Sequence, residues 1–299
     1  MKIAIIGANG ILGPPTINDL LQYTDADLHI ITEQPGKVVA SKRITTFPRA
    51  QLKEALAQTD VIYNFLGVLA VWNDYLPAIA ASGAKLYFLP DYGIKHEQRP
   101  DFAAMVRKTD HYEQAAQIPG LKCIRLLTGA FADTMVEMPQ FWGIDLANKT
   151  AATLGDGNTK FSYTFVRKIA ETLALAVTQD FSKLEPILEI KNGDITLREF
   201  FELYSKASGV DLNIVQAMSI EQAEGAIIET QKSDPQGADY AALYGLTIGT
   251  LCNSGYAVIS NKDNWIASQK DDKWDTLSVE SIQQILAKQA NKGVSEQRL

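Results

Sequence analysis

The chain has 299 residues, 46% of them hydrophobic, and 28 Lys plus Arg against 35 Asp plus Glu for a formal charge of -7. That content supports a large core, while the negative balance argues against nucleic acid as a partner. Two cysteines, Cys123 and Cys252, are too few for a disulfide framework or a thiol-built zinc cluster, which fits a reducing compartment. No apolar run is long enough to cross a bilayer, and Met1 leads straight into the first predicted strand, so a cytoplasmic protein without a membrane partner is expected.

Lys2 to Ile6 is a short run rich in Ile and Ala, the pattern of a buried parallel strand. Gly7, Gly10 and Gly13 follow in GANGILG. Each removes a Cβ from a turn that must be tight, open to a phosphate and packed closely on the next helix, so the stretch predicts a dinucleotide cradle. Pro14 and Pro15 suit a first helical turn; neither can donate, so the donors to a pyrophosphate are expected from Asn9 to Leu12. Ile17 to Tyr23 continues the helix, and Asp27 to Thr32 predicts the second strand, with Glu33 at its end. That carboxylate lies about 20 residues past Gly13, the spacing at which an acid grips the adenosine ribose hydroxyls. Thr32 shares the strand end, and Lys37 and Arg43 are near enough in sequence to meet a 2′-phosphate instead, so NAD versus NADP stays open.

Arg43 to Phe47 and Asp60 to Leu66 read as the third and fourth strands, with a helix from Arg49 to Gln58 between them. Leu66-Gly67-Val68 should lie at the carboxyl edge of the sheet beside the glycine turn, where ligands of doubly wound folds collect. A helix from Val71 to Ala81 leads to a fifth strand, Lys85 to Leu89, which Pro90 is expected to stop. Pro100 to Ala116 reads as a helix and Leu121 to Leu127 as the sixth strand. This alternation commits roughly the first 130 residues to a parallel sheet with helices on both faces.

After Asp133 the alternation lapses into a Met-, Trp- and Pro-rich stretch to Trp142, read as a substrate-side insertion. Next come a strand near Thr150 to Leu154, a turn at Gly155 to Asn158, a helix over Thr164 to Val177, a strand at Ile187 to Ile190 and a helix N-capped by Thr196. Beyond Gly209 the sequence predicts a short apolar segment, Val210 to Val215, loosely placed helices and a terminal amphipathic helix from Val279 to Ala290.

GANGILG, KLYFLPDYG at Lys85 to Gly93 and GDGNTKFSYTFVRKIAETLA at Gly155 to Ala174 together resemble the NmrA-like and isoflavone-reductase-like branch of the atypical short-chain dehydrogenases. The resemblance implies a Rossmann-type doubly wound NAD(P)-binding domain over 1–132, to which 155–180 returns, and a smaller carboxyl-terminal α/β substrate region over 133–299. By that likeness Gly7, Asn9, Gly10, Ile11, Leu12 and Gly13 hold the pyrophosphate, while Thr32, Glu33 and Lys37 face the adenosine ribose. Leu66 and Gly67 line the path from adenine to nicotinamide, and Pro90, Tyr92 and Phe131 lie near the nicotinamide. Two departures stand out: reductases of the family often carry Arg where this chain has Thr32, and Lys168 stands where Asp is common.

Hydride transfer to a carbonyl or imine needs a proton for the developing charge, which most short-chain dehydrogenases supply with a Tyr and a Lys four residues later. That pair is absent; the nearest approaches are Tyr92 with Lys95 and Tyr163 with Arg167. The isoflavone-reductase-like group instead uses a lysine on the helix corresponding to about Arg107 to Gln117. Two residues compete for the position: Lys108 on counting forward into Ile118-Pro119, and His111 on counting back from Phe131. Either can serve as the acid, because desolvation lowers a lysine toward neutrality and a histidine starts near it. Phe131, Phe141, Trp142, Phe161 and Tyr163 are expected to floor a flat apolar substrate. His29, His96 and His111 are too scattered for a metal, and none is expected. The leading expectation is an NAD(P)H-dependent oxidoreductase acting on a small aromatic or conjugated carbonyl, enone, quinone or imine. The alternatives are a dinucleotide-sensing regulator of a protein partner, motivated by the missing dyad, and a biosynthetic cyclase on the same fold.

Overall fold

The computed structural model describes residues 1–95, 97, 99–233, 240–263, 266 and 276–296, so His96 lies outside the described residues. The first half runs β1 (Lys2–Ile6), α1 (Gly13–Tyr23), β2 (Asp27–Ile31), β3 (Ile44–Phe47), α2 (Leu52–Leu56) and β4 (Val61–Asn64). It continues with α3 (Leu76–Ser82), β5 (Leu86–Gly93), α4 (Ala103–Ala116) and β6 (Lys122–Leu127). Then come β7 (Ala130–Phe131), α5 (Ala132–Glu137), β8 (Ile144–Asp145), β9 (Thr150–Leu154), β10 (Phe161–Thr164), α6 (Val166–Ala176), β11 (Ile187–Glu189) and β12 (Gly193–Ile195). The remainder is α7 (Leu197–Ser208), β13 (Asn213–Met218), α8 (Ile220–Ser233), α9 (Tyr240–Asn253) and α10 (Val279–Glu296). Two compact units result: Met1–Leu127 with Val166–Ile190 and Asn261–Lys270, and Thr128–Phe165 with Lys191–Ser260 and Asp271–Leu299.

In the first unit the strands form one sheet in the order β3-β2-β1-β4-β5-β6-β11, every pairing parallel. The order reverses between β1 and β4, so the loops at their carboxyl ends part there and leave a crevice. Ile3, Ala4 and Ile5 of β1 and Val61, Ile62 and Tyr63 of β4 are wholly buried, as strands covered on both faces require. Helices α1 and α6 pack together over the sheet. Tyr63, one of the polar side chains in this core, donates its hydroxyl to the Leu173 carbonyl at 2.6 Å, which removes the penalty of burying it.

The structure corrects three expectations. Pro90 does not stop β5, which runs through it to Gly93; the pairing with β6 shifts register between Phe88 and Tyr92, and a proline is tolerated in such an irregularity because no ladder N–H is demanded of it. The helix expected over Arg49 to Gln58 is a 3-10 turn at Arg49–Gln51 followed by the single-turn α2. The helix expected from Thr164 begins at Val166, because Phe161 to Thr164 is drawn into β10 by pairing with β12 and β7.

The second unit holds two three-stranded sheets, β12-β10-β7 and β13-β9-β8. Helix α7 starts at a capping box, in which Thr196 Oγ1 accepts from the Glu199 amide at 3.1 Å and Glu199 accepts from the Thr196 amide at 2.8 Å. Helix α10 packs on α7 and α5. Among the described residues no helix is long and apolar enough to cross a membrane, and no group of three or more His, Cys, Asp or Glu is placed to hold a metal ion.

Candidate active site

The glycine turn between β1 and α1 is built as its sequence demands. Gly7 takes φ +80°, and a Cβ there would sit 2.8 Å from the Phe65 carbonyl carbon, so the turn packs against the chain leaving β4. A Cβ on Gly13 would overlap the Ala8 carbonyl. Gly10 differs, because its nearest neighbour would be the Gly7 carbonyl oxygen at 3.5 Å, an ordinary contact. Protein packing therefore does not require Gly10; what a side chain there would occupy is the crevice itself. The amides of Gly10 and Gly13 are used inside the turn, donating to Gly7 and Gly10 at 3.2 Å, whereas those of Asn9, Ile11 and Leu12 make no hydrogen bond among the described residues. Three uncommitted donors at a helix start suit a diphosphate.

The turn opens on a cleft of about 410 Å³ lined by Gly7, Asn9, Gly10, Thr32, Glu33, Arg49, Leu66, Gly67 and Tyr75. Asn9 points its side-chain amide across to Thr32 Oγ1 at 2.8 Å, and the Gln34 amide donates to the same oxygen at 2.9 Å. With both lone pairs engaged, the Thr32 hydroxyl keeps its proton to donate. Glu33 accepts from the Arg49 amide at 2.7 Å, and the Arg49 guanidinium lies 5.2 Å from the Tyr75 ring centre, with no ion pair among the described residues. Parallel register explains this meeting: Ile31 is opposite Phe47, so two residues further on Glu33 falls beside Arg49. The other two basic residues in this stretch lie elsewhere. Arg43 donates to the carbonyls of Leu21 and Thr24, and Lys37 lines a neighbouring depression of about 240 Å³ with Pro14 and Ile17.

The opposite wall, Leu66 and Gly67, is pinned from behind. Trp72 Nε1 donates to the Leu66 and Gly67 carbonyls at 3.3 and 3.2 Å, and Arg107 donates to Val68 and Ala70 at 3.0 and 2.8 Å. The Leu66 amide donates to Asn64 Oδ1 at 3.1 Å, Asn64 Nδ2 contacts the Tyr87 hydroxyl at 2.9 Å, and that hydroxyl meets His111 Nε2 at 2.9 Å. His111 Nδ1 lies 2.6 Å from Asn73 Oδ1. Burial pushes the His111 pKa down to about 4, against a smaller pull upward from Asp91, so the ring is neutral at pH 7 with both nitrogens engaged. It has no proton to deliver outside this network.

Lys108 lies one helical turn earlier on α4, its side chain 3% exposed, with Nζ 3.1 Å from Asp91 Oδ1. Asp91 Oδ2 takes Arg125 Nε at 2.7 Å, and Arg125 also pairs with Glu97. Burial disfavours the Arg125 charge, but the two carboxylates outweigh it and raise its pKa. Asp91 thus joins two buried cations at the end of β5, and an opposite charge this close favours the ammonium form of Lys108. Nζ lies 3.7 Å from where a Gly93 Cβ would stand, directly under the strand end that carries Tyr92. Pro90 is buried beside Asp91, in the register shift. The Tyr92 ring tilts onto Phe65 at 5.6 Å, and its hydroxyl is buried without a hydrogen-bond partner among the described residues; burial holds it neutral, its pKa well above the usual tyrosine value.

The expected substrate residues belong to the second unit. Trp142 stacks on Phe161 at 5.6 Å, Phe131 is half-buried, and Tyr163 is nearly buried with its hydroxyl accepting from the Leu277 amide at 2.9 Å.

No family model matches the sequence, and no curated protein matches it. Solved structures do match in fold. A nucleoside-diphosphate-sugar epimerase from Staphylococcus aureus has a TM-score of 0.71 at 14% identity, covering 95% of this chain and 100% of its own. An NADPH-dependent quinone oxidoreductase from Escherichia coli, solved with NADPH, gives 0.70 at 16% identity over 95% and 99%. An isoflavone reductase gives 0.64 at 19% identity over 95% and 98%. The likeness drawn from the motifs therefore holds at the level of the fold, a Rossmann-type sheet shared with NAD(P)-binding reductases.

Proposed function

We propose that the chain is an NAD(P)H-dependent oxidoreductase that reduces a small aromatic or conjugated carbonyl, enone, quinone or imine. The observation that carries this reading is the crevice at the glycine turn, where Gly10 leaves room that protein packing does not claim and three amides stand uncommitted among the described residues. The turn from Gly7 to Gly13 would hold the pyrophosphate, with Thr32 and Glu33 at the ribose. Bound there, the reduced nicotinamide supplies the hydride. The chain's own part is to orient that ring and to supply the proton: Asp91 keeps it on Lys108 Nζ, and Lys108 releases it to the anion formed on the reduced substrate. Two proteins of similar fold, a quinone oxidoreductase solved with NADPH and a triphenylmethane reductase solved with NADP(H), support this reaction class.

Between the two dinucleotides the reading favours NADP(H), because Arg49 reaches the ribose end of the cleft with its charge unpaired among the described residues, and a 2′-phosphate would supply the missing anion. NADPH oxidation against a panel of quinones, enones and imines is the test. Turnover of at least one member is expected, lost in Lys108→Met while calorimetry shows dinucleotide affinity unchanged. Tight binding with no turnover of any panel member overturns the reading and leaves dinucleotide sensing in its place, which the deep burial of Lys108 favours.

A further inference from the structure

The polar chain behind the Leu66 wall can run in only one direction. A backbone N–H only donates, so Asn64 receives the Leu66 amide on Oδ1 and must turn Nδ2 toward Tyr87. At the other end Asn73 Oδ1 only accepts, so the proton of the neutral imidazole sits on His111 Nδ1. That leaves Nε2 as a bare lone pair, and the Tyr87 hydroxyl, already accepting from Asn64, donates into it. Every donor in the series then has one acceptor, inside a site where Asn64 and Tyr87 are wholly buried and His111 is 1% exposed. A proton on Nε2 would face the Tyr87 hydroxyl hydrogen and orphan it.

We propose that His111 is a positioning residue: as the Nδ1–H tautomer it closes a one-way hydrogen-bond chain through Tyr87 and Asn64 that fixes the Leu66 amide, and so the wall of the cleft facing the glycine turn. The consequence for ligand binding rests on the dinucleotide reading above, whereas the chain itself does not. The hydrogen-bonded route from His111 to the wall runs through Asn64, whose backbone ends β4 and whose side chain holds the first residue of the wall, and the His111 ring also lies 5.9 Å from that of Trp72, which holds the Leu66 and Gly67 carbonyls.

The chain contains three histidines, so the ring nitrogens of His111 can be assigned by nitrogen-15 NMR on the full-length protein. At pH 7.5 a neutral ring protonated on Nδ1 is expected; an Nε2–H tautomer or an imidazolium overturns the proposal. Hydrogen exchange at the Leu66 amide supplies the second readout. It should be slow in the wild type and in His111→Gln, which still offers an acceptor to Tyr87 and a donor to Asn73, and faster by about tenfold or more in His111→Leu and Tyr87→Phe. Should His111→Leu fail to fold, Tyr87→Phe breaks the same chain at the next link and decides the question. Unchanged Leu66 exchange in a folded Tyr87→Phe also overturns the proposal. NADP+ affinity measured on the same variants should follow the exchange rates, with a loss of about tenfold. If the wild type binds neither NADP+ nor NAD+, the cofactor reading fails, while the tautomer and Leu66 exchange still decide the chain.

Discussion

Gly10 and Gly13 are three residues apart in one motif, yet a methyl group would do different things at each. At Gly13 it would overlap the Ala8 carbonyl, so Gly13→Ala should fail to fold or lose several kcal/mol in urea denaturation. At Gly10 it would meet only ordinary contacts, so Gly10→Ala should unfold like the wild type but bind NADP+ at least about tenfold more weakly by calorimetry. His111 carries a second prediction. Its folded pKa of about 4 lies below the ordinary histidine value, so the unfolded chain binds more protons between the two. The contribution to stability is therefore complete above about pH 6.5 and declines as pH falls through the folded value, a loss on the order of 2 kcal/mol between pH 7 and 5. His111→Gln should remove that slope from urea titrations at the two pH values.

Among the elements, those readable from sequence carry their own signal. β1 is apolar from Ile3 to Ile6, β2 and β6 are mostly apolar runs interrupted by His29 and Arg125, and α7 declares itself through Thr196 and Glu199, three residues apart; Thr196→Ala should cost about 1 kcal/mol of stability in the same assay. The misread elements take their form from partners distant in sequence. β10 is four residues long, too short to show a period, and exists because β12 and β7 flank it. Pro90 survives inside β5 only through the shift in pairing with β6. The site divides the same way. The glycine turn is contiguous and legible, whereas Arg49 reaches Glu33 through the register of β2 with β3, and the residues linked to His111 come from β4, β5 and the turn before α3. Lys108 and His111 are both legible as candidates, but only the fold tells them apart, placing one beside a carboxylate and the other inside a neutral network.

At the scale of the whole molecule, a formal charge of -7 opposes an anionic dinucleotide at long range, so the proposed binding would have to rest on donors close at hand. Occupancy of the crevice should then stabilise the fold: NADP+ at about 100 times its Kd adds about 2.7 kcal/mol, read as a rise in Tm. If Arg49 pairs with a 2′-phosphate as proposed, it would set how that affinity responds to salt. It is exposed and lines the cleft beside Thr32 and Glu33, the end assigned to the ribose in the proposed function. An attraction formed there is shielded by mobile ions, whose screening length shrinks from about 30 Å at 0.01 M salt to about 3 Å at 1 M. On the proposed preference for NADP(H), the advantage of NADP+ over NAD+ should be wide in dilute buffer and narrow toward parity in concentrated salt, which would make cofactor choice a property of the medium as well as of the polypeptide.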